Sequence, residues 1–156
     1  MESESTDFLK SVYLFHDLDE DQLLWLAENM QKKVFIVGDE IFAQGDKAES
    51  FYIIKSGSVS VEKWATDDEQ HITTIGAGTI LGEMAFLEGG ERSASAKAHE
   101  NVELLIIPFD LLEEKINSDR DFGFHFYRNI AHCLNKRIEK TTNDFSSLKE
   151  LKLKHH

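Results

Sequence analysis

Hydrophobic and polar positions follow three successive patterns along the chain. Over residues 6–30, Leu14 and Phe15 precede a turn-like Asp17-Leu18-Asp19, after which Leu23, Leu24, Leu26 and Ala27 recur at helical spacing. Over residues 33–109 the pattern changes to short runs rich in β-branched and aromatic residues. These runs are Lys33–Val37, Glu40–Ala43, Ser50–Lys55, Ser58–Trp64, His71–Ile75, Ser93–Ala98 and Val102–Pro108. Turn signals separate them at Gly38-Asp39, Gly45-Asp46, Ser56-Gly57, Asp67-Asp68 and Gly76–Gly78. Short strands at this spacing predict an antiparallel sandwich, jelly roll or small barrel. From Asp110 the helical period returns, with a short helix marked by Leu111, Leu112 and Ile116 and a long one beginning near Asp121 or Phe122. The predicted fold is therefore α+β: an antiparallel β-roll or jelly roll flanked by N-terminal helices and a long C-terminal helix. Residues 1–120 form the roll unit and 121–154 the long helix.

That last helix carries a second pattern. Tyr127, Ala131, Leu134, Ile138, Thr141, Phe145 and Leu148 are spaced alternately by four and three, a heptad stripe. The stripe predicts a homodimer seam over residues 127–148. Packing of a single helix on its own roll is the alternative.

Charge narrows the choice of partners. The chain of 156 residues has a net charge of −12, unevenly spread. Residues 1–127 carry 10 basic and 26 acidic side chains, whereas residues 128–156 carry 7 and 3. A body this acidic argues against nucleic acid as a partner. An anionic ligand would have to be held by local geometry, not drawn in by a general positive field. No apolar run is long enough to span a bilayer, and Met1–Asp7 is polar and acidic, unlike a secretory leader, so a cytoplasmic protein without membrane contact is expected. The single cysteine, Cys133, excludes an internal disulfide framework and is read as a buried structural thiol. The seven histidines form no His-x-His pair, and no nucleophile–base constellation stands out, so the chain is not read as an enzyme.

The most informative run is Leu81-Gly82-Glu83-Met84-Ala85-Phe86-Leu87-Glu88-Gly89-Gly90-Glu91-Arg92-Ser93-Ala94. Gly82 lacks a Cβ and allows close backbone approach. If Glu83–Leu87 is helical, its first amides face an incoming anion. Arg92 can meet a phosphate through two parallel charge-assisted hydrogen bonds. Glu83 would repel an anion, so it fits such a site only by accepting hydrogen bonds from hydroxyls, as a sugar offers.

With these residues in place, the chain resembles a cyclic-nucleotide-binding domain of the family that includes the bacterial catabolite activator protein. Three further motifs carry the likeness in the family's order: Phe15-x-x-Leu18, Val37–Asp46 (VGDEIFAQGD) and Phe51–Val61 (FYIIKSGSVSV). The run above is similar to the family's phosphate-binding cassette, with Gly-Glu and Arg-Ser-Ala at matching spacing. The resemblance implies that Glu83 accepts the ribose 2′-hydroxyl, with Gly82 and Met84 wrapping the sugar. Arg92 would pair with the cyclic phosphate, with Ser93 and Ala94 completing the cradle and Ala85 leaving it room. Leu81, Ile72 and Thr73 would line the base or ribose wall, and the long helix would bring Arg137 and Ile138 to the base. The regulatory ligand implied is cAMP in preference to cGMP, with output through repositioning of the C-terminal helix to a downstream effector. A ligand-free interaction scaffold, or the sensory half of a larger enzyme, channel or transcription regulator, is the alternative.

Overall fold

A computed structural model describes residues 2–64 and 70–136. Helix α1 (Glu2–Ser11), a single 3-10 turn (Tyr13–Phe15) and helix α2 (Glu20–Asn29) come first. The strands are β1 (Gln31–Phe35), β2 (Glu40–Phe42), β3 (Ser50–Ser56), β4 (Ser58–Trp64), β5 (Gln70–Gly76), β6 (Ile80–Leu81), β7 (Ser95–Ala98) and β8 (Val102–Pro108). Helix α3 (Glu83–Glu88) lies between β6 and β7. Helix α4 (Phe109–Ser118) follows β8, and a further helix, α5, occupies residues 120–136.

The strands form two four-stranded antiparallel sheets, in the orders β1-β8-β3-β6 and β2-β7-β4-β5. Side chains alternate across a strand, so each face of the first sheet collects its own apolar set. On β3 and β8, Ile54, Val102 and Leu104 turn inward to meet Val59, Ala96 and Ala98 of the second sheet. Phe51, Ile53 and Ile107 point the other way, into a helical layer built on Leu14, Phe15, Leu26, Leu112, Phe122 and Phe126. β3 and β8 of the first sheet are thus covered on both faces, while β1 is largely exposed, and the second sheet closes the roll. This is the β-roll with flanking helices that the hydrophobic pattern predicts.

Polar groups fix the helical layer. Asp19 starts α2 with a reciprocal capping box, its carboxylate accepting from the Gln22 amide while the Gln22 side chain accepts from the Asp19 amide. The Gln22 side-chain nitrogen then donates to Asp121 (3.0 Å) and Asp119 (3.3 Å). Asp119 itself caps α5 by accepting from the Phe122 amide. Further along α5, Asn129 is buried and donates to the Leu14 carbonyl (2.9 Å) and to Asp17 (2.8 Å). His125 Nδ1 lies 2.9 Å from the other oxygen of Asp17. The segment between the 3-10 turn and α2, with the start of α2, is therefore bolted to the first three turns of α5.

Several sequence expectations change here. The run 33–37 is strand only to Phe35, because Asp39 accepts from the Ile36 amide and Asn101 from the Val37 amide, turning the chain there. The strand foreseen from Ser93 begins at Ser95, and β6, two residues long, was not foreseen. Cys133 is half-buried, not fully enclosed, and burial pushes its thiol pKa up. The face of α5 packed on the roll is Phe122, Phe126, Ile130 and Leu134, one position off the heptad stripe. Of that stripe, Tyr127 and Ala131 are exposed and Leu134 packs against the core; the remainder lies outside the described residues. No helix among the described residues is long and apolar enough to cross a membrane.

Both Asp17 and Asp119 sit below the ordinary carboxylate value of 3.8. For Asp17, burial pushes upward but is outweighed by the Asn129 hydrogen bond and the His125 contacts; for Asp119 the Phe122 amide is the main cause. Groups depressed in the folded state stabilise it above 3.8 and lose that contribution as pH falls through the folded value. Urea titrations from pH 5 to pH 2 should therefore show stability falling below about pH 4, and a D17N/D119N variant should show a shallower fall. At neutral pH, Asp17→Ala should lower the unfolding free energy by about 1–3 kcal/mol, because one buried N–H of Asn129 loses its acceptor.

Candidate ligand-binding site

Helix α3 starts abruptly after β6, and Gly82 is the reason. It adopts φ +96°, a left-handed conformation that suits glycine, and takes the N-cap position without a side-chain cap. The first backbone bond of the helix runs from the Phe86 amide to the Gly82 carbonyl. The amides of Glu83, Met84 and Ala85 precede it and have no carbonyl inside the helix. At the far end, Gly89 and Gly90 also take positive φ and turn the chain back toward Arg92.

The return segment is clamped to the loop after β2. Gly45 donates to the Arg92 carbonyl (2.9 Å), the Arg92 amide to the Asp46 carbonyl (2.7 Å), and Ala48 to the Gly90 carbonyl (3.0 Å). The Gln44 amide donates to the Ser95 hydroxyl at 2.8 Å. The Ala43–Asp46 motif thus acts as a backbone cradle that sets where Arg92 leaves the main chain.

The Arg92 side chain is only 5% exposed. Its Nη2 donates to the Ser50 carbonyl at 2.7 Å, and its Nη1, also buried, has no hydrogen-bond partner among the described residues. Aromatic rings surround the guanidinium, with Phe42 at 4.4 Å, Tyr52 at 5.2 Å and Phe109 at 5.8 Å from Cζ to ring centroid. Burial pushes the guanidinium pKa below its ordinary value, opposed by Tyr52 and Asp46. It stays a cation, because arginine does not deprotonate in proteins. A Cβ on Gly82 would stand 2.5 Å from Nη1, so the glycine makes room first of all for the arginine.

Arg92 opens onto a cavity of about 580 Å³, a volume suited to one small organic ligand. Gly82, Glu83, Met84 and Ala85 form one wall, with Ser93 and Ala94 beside Arg92. Thr73 and Leu81 complete the sequence-identified residues that the structure gathers around it. Glu83 is 6% exposed, which places an acceptor oxygen pair in the same cavity as an arginine donor. The cavity therefore offers, on adjoining walls, a cation with an unused donor and a buried carboxylate. That combination takes a ligand with both an anionic group and hydroxyls.

Ile72 falls outside the cavity and is 58% exposed. Successive strand residues face opposite sides, so Thr73 facing inward turns Ile72 out and brings Ile75 in. Val61, paired with Thr73 across β4 and β5, also lines the cavity and was not identified from sequence. Neither were Phe42, Thr79 and Ile80. The period of two around Thr73 and the Val37–Asp46 motif were the signals available for Ile75, Val61 and Phe42. Arg137 and Ile138 lie outside the described residues.

A model of the cyclic nucleotide-binding domain matches residues 32–119, over half of the chain. The chain belongs to the cyclic nucleotide-binding domain family. Over 149 residues it is 31% identical to a Drosophila melanogaster cGMP-dependent protein kinase, isozyme 2, covering 93% of this chain and 16% of the kinase. Over 100 residues it is 35% identical to the cyclic AMP receptor protein of Thermus thermophilus, covering 64% of this chain and 46% of that protein. It also superposes on the regulatory domain of Toxoplasma gondii PKA, solved with cAMP, with a TM-score of 0.65 and 26% identity over 75% of this chain and 43% of that one. The chain thus spans less than half the length of each of these relatives. Cyclic nucleotide-binding domains are regulatory modules, and the relatives of this one include kinases.

Gly82→Ala should disturb the site twice, through strain at positive φ and through collision with Nη1. Gly38→Ala is the control, since it has positive φ with open space around the new Cβ and lies in a turn outside the site. In urea denaturation, Gly38→Ala should lose about 1–2 kcal/mol. Gly82→Ala should lose clearly more.

Proposed function

We infer that the chain is a sensor module that binds a cyclic mononucleotide, cAMP in preference to cGMP, in the cavity between α3 and the second sheet. The observation that carries this reading is the buried Arg92, whose Nη1 lies against Gly82 on the cavity wall and has no hydrogen-bond partner among the described residues. A cyclic phosphate supplies an acceptor for that donor and neutralises the buried cation. The first amides of α3 add to its cradle. Glu83 accepts from the ribose 2′-hydroxyl, and the purine lies along Val61, Thr73 and Ile75. Preference for cAMP draws support from the Thermus receptor protein and from the Toxoplasma regulatory domain with cAMP. The Drosophila kinase makes cGMP the competing ligand.

The output in this reading is a shift of α4 and α5. Phe86 of α3 packs against Phe109 of α4 and against Phe126 and Tyr127 of α5, so a ligand that moves α3 bears on both helices. Tyr127 and Ala131, exposed on α5 beside its packed face, begin the seam of a homodimer over 127–148 in this reading. An effector region or partner protein reads the helix.

Isothermal titration calorimetry with cAMP and cGMP tests the reading directly. Micromolar or tighter binding of one cyclic mononucleotide is expected, stronger for cAMP. Arg92→Ala should weaken it by about 3 kcal/mol or more, and Glu83→Gln by about 1–2 kcal/mol, in keeping with lost charge-assisted hydrogen bonds. Absence of heat with either nucleotide, on folded protein free of carried-over ligand, would overturn it.

A further inference from the structure

The surroundings of Arg92 are unusual for a buried cation. Among the described residues no carboxylate lies within ion-pair distance of its guanidinium, and a single carbonyl, that of Ser50, accepts from it. Three different elements supply π faces around it, Phe42 from β2, Tyr52 from β3 and Phe109 from α4, and the Tyr52 side chain and the more distant Asp46 also favour its charged form. Aromatic faces attract a guanidinium and hold its plane, yet leave its in-plane donors unspent. An ion pair with a carboxylate would hold it as firmly but would consume those donors.

Phe109 differs from the other two rings because it opens a helix outside the roll. Its amide donates to the Glu49 carbonyl at 2.9 Å. The neighbouring Pro108 stands opposite Ser50 in the β3–β8 register, and Ser50 is the residue whose carbonyl holds Arg92. Two independent attachments therefore bring the root of α4 to the same point as the arginine. From there the Phe109 ring meets Phe86 at 5.2 Å, and Phe86 meets Phe126 at 5.5 Å.

We propose that Phe109 is a positioning residue for the anion contact: its ring fixes the plane of the Arg92 guanidinium so that Nη1 is presented to the phosphate, and ties that arginine directly to the first residue of α4. This rests on the reading of Arg92 as the phosphate ligand. The ring touches the arginine and does not line the cavity, so its effect should be the same for either purine.

Binding of cAMP and cGMP is measured by calorimetry on the wild-type chain and on Phe109→Leu and Phe109→Tyr. Phe109→Leu should weaken the two nucleotides by the same factor, about tenfold from the loss of one cation–π contact. Phe109→Tyr, which keeps the π face, should bind within about twofold of wild type on the same ground. The Arg92 Nε–Hε signal, followed by nitrogen-edited NMR without ligand, supplies a readout that a merely structural role would not move. It should shift in Phe109→Leu as the ring current is lost and return toward wild type in Phe109→Tyr. Should Leu unfold the chain, Phe109→Met replaces the volume without the π face. Unchanged nucleotide binding and an unchanged Nε–Hε signal in Phe109→Leu would overturn the proposal, as would equal loss in the Leu and Tyr variants. If wild type binds neither nucleotide, the functional reading falls, while the NMR comparison still decides whether Phe109 positions Arg92.

Discussion

One buried cation, with no carboxylate partner among the described residues, organises this domain. Removing a charge from water is expensive unless other groups replace the solvent. At Arg92 the replacement is spread over several elements: a carbonyl at the start of β3, π faces from β2, β3 and α4, and the loop after β2 that grips the arginine's own backbone. Gly82 belongs to the same arrangement, since its missing Cβ is the space that Nη1 fills. The result is a guanidinium that is held in place while keeping one donor in reserve. A donor in that condition gains more from an anion than an exposed one would, because the low-dielectric surroundings strengthen the bond.

The helical layer depends on a different chemistry. There the fastening is polar and specific: Gln22 to Asp119 and Asp121, and Asn129 to Asp17 and Leu14. These bonds set where α5 begins and which way its first turns face. The apolar contacts of the same layer, Phe86 with Phe109, Phe126 and Tyr127, are less directional. On α5 the polar contacts of Asp121, His125 and Asn129 bracket Phe126 and Tyr127, the residues that meet α3.

Much of this was legible in the chain. The strand runs, the turn glycines and the closely spaced Gly82, Glu83 and Arg92 all follow from local rules, which act over a few residues and leave a clear trace. The cavity residues on β4 and β5 were harder. Naming Ile72 and Thr73 together ignored the alternation of a strand, and applying it would have replaced Ile72 with Ile75 and found Val61 as the cross-strand partner of Thr73. Two-residue β6 is too short for any period to register. On α5 the heptad stripe and the packed face differ by one residue, and periodicity alone does not separate two adjacent apolar stripes on one helix. The aromatic surroundings of Arg92 were out of reach for another reason. Phe42, Tyr52 and Phe109 are scattered in sequence, and only the β3–β8 register and the β2 loop bring them to one place.

The acidic surface sharpens the role of that arrangement. Residues 1–127 carry sixteen more acidic than basic side chains, so an approaching anion meets a repulsive field over most of the body. At physiological salt that field decays over about 8 Å, while interactions inside a buried cavity are screened far less. Distance therefore divides the problem in two. Outside, the field discriminates against anions in general and gives no help to the right one. In the proposed reading, Arg92 acts inside at hydrogen-bond range, where orientation matters as much as charge, and Glu83 adds a demand for hydroxyls that simple anions cannot meet. On that reading selectivity is a property of geometry at close range, and the rings proposed to hold the arginine's plane belong to the recognition even though they offer the ligand no hydrogen bond.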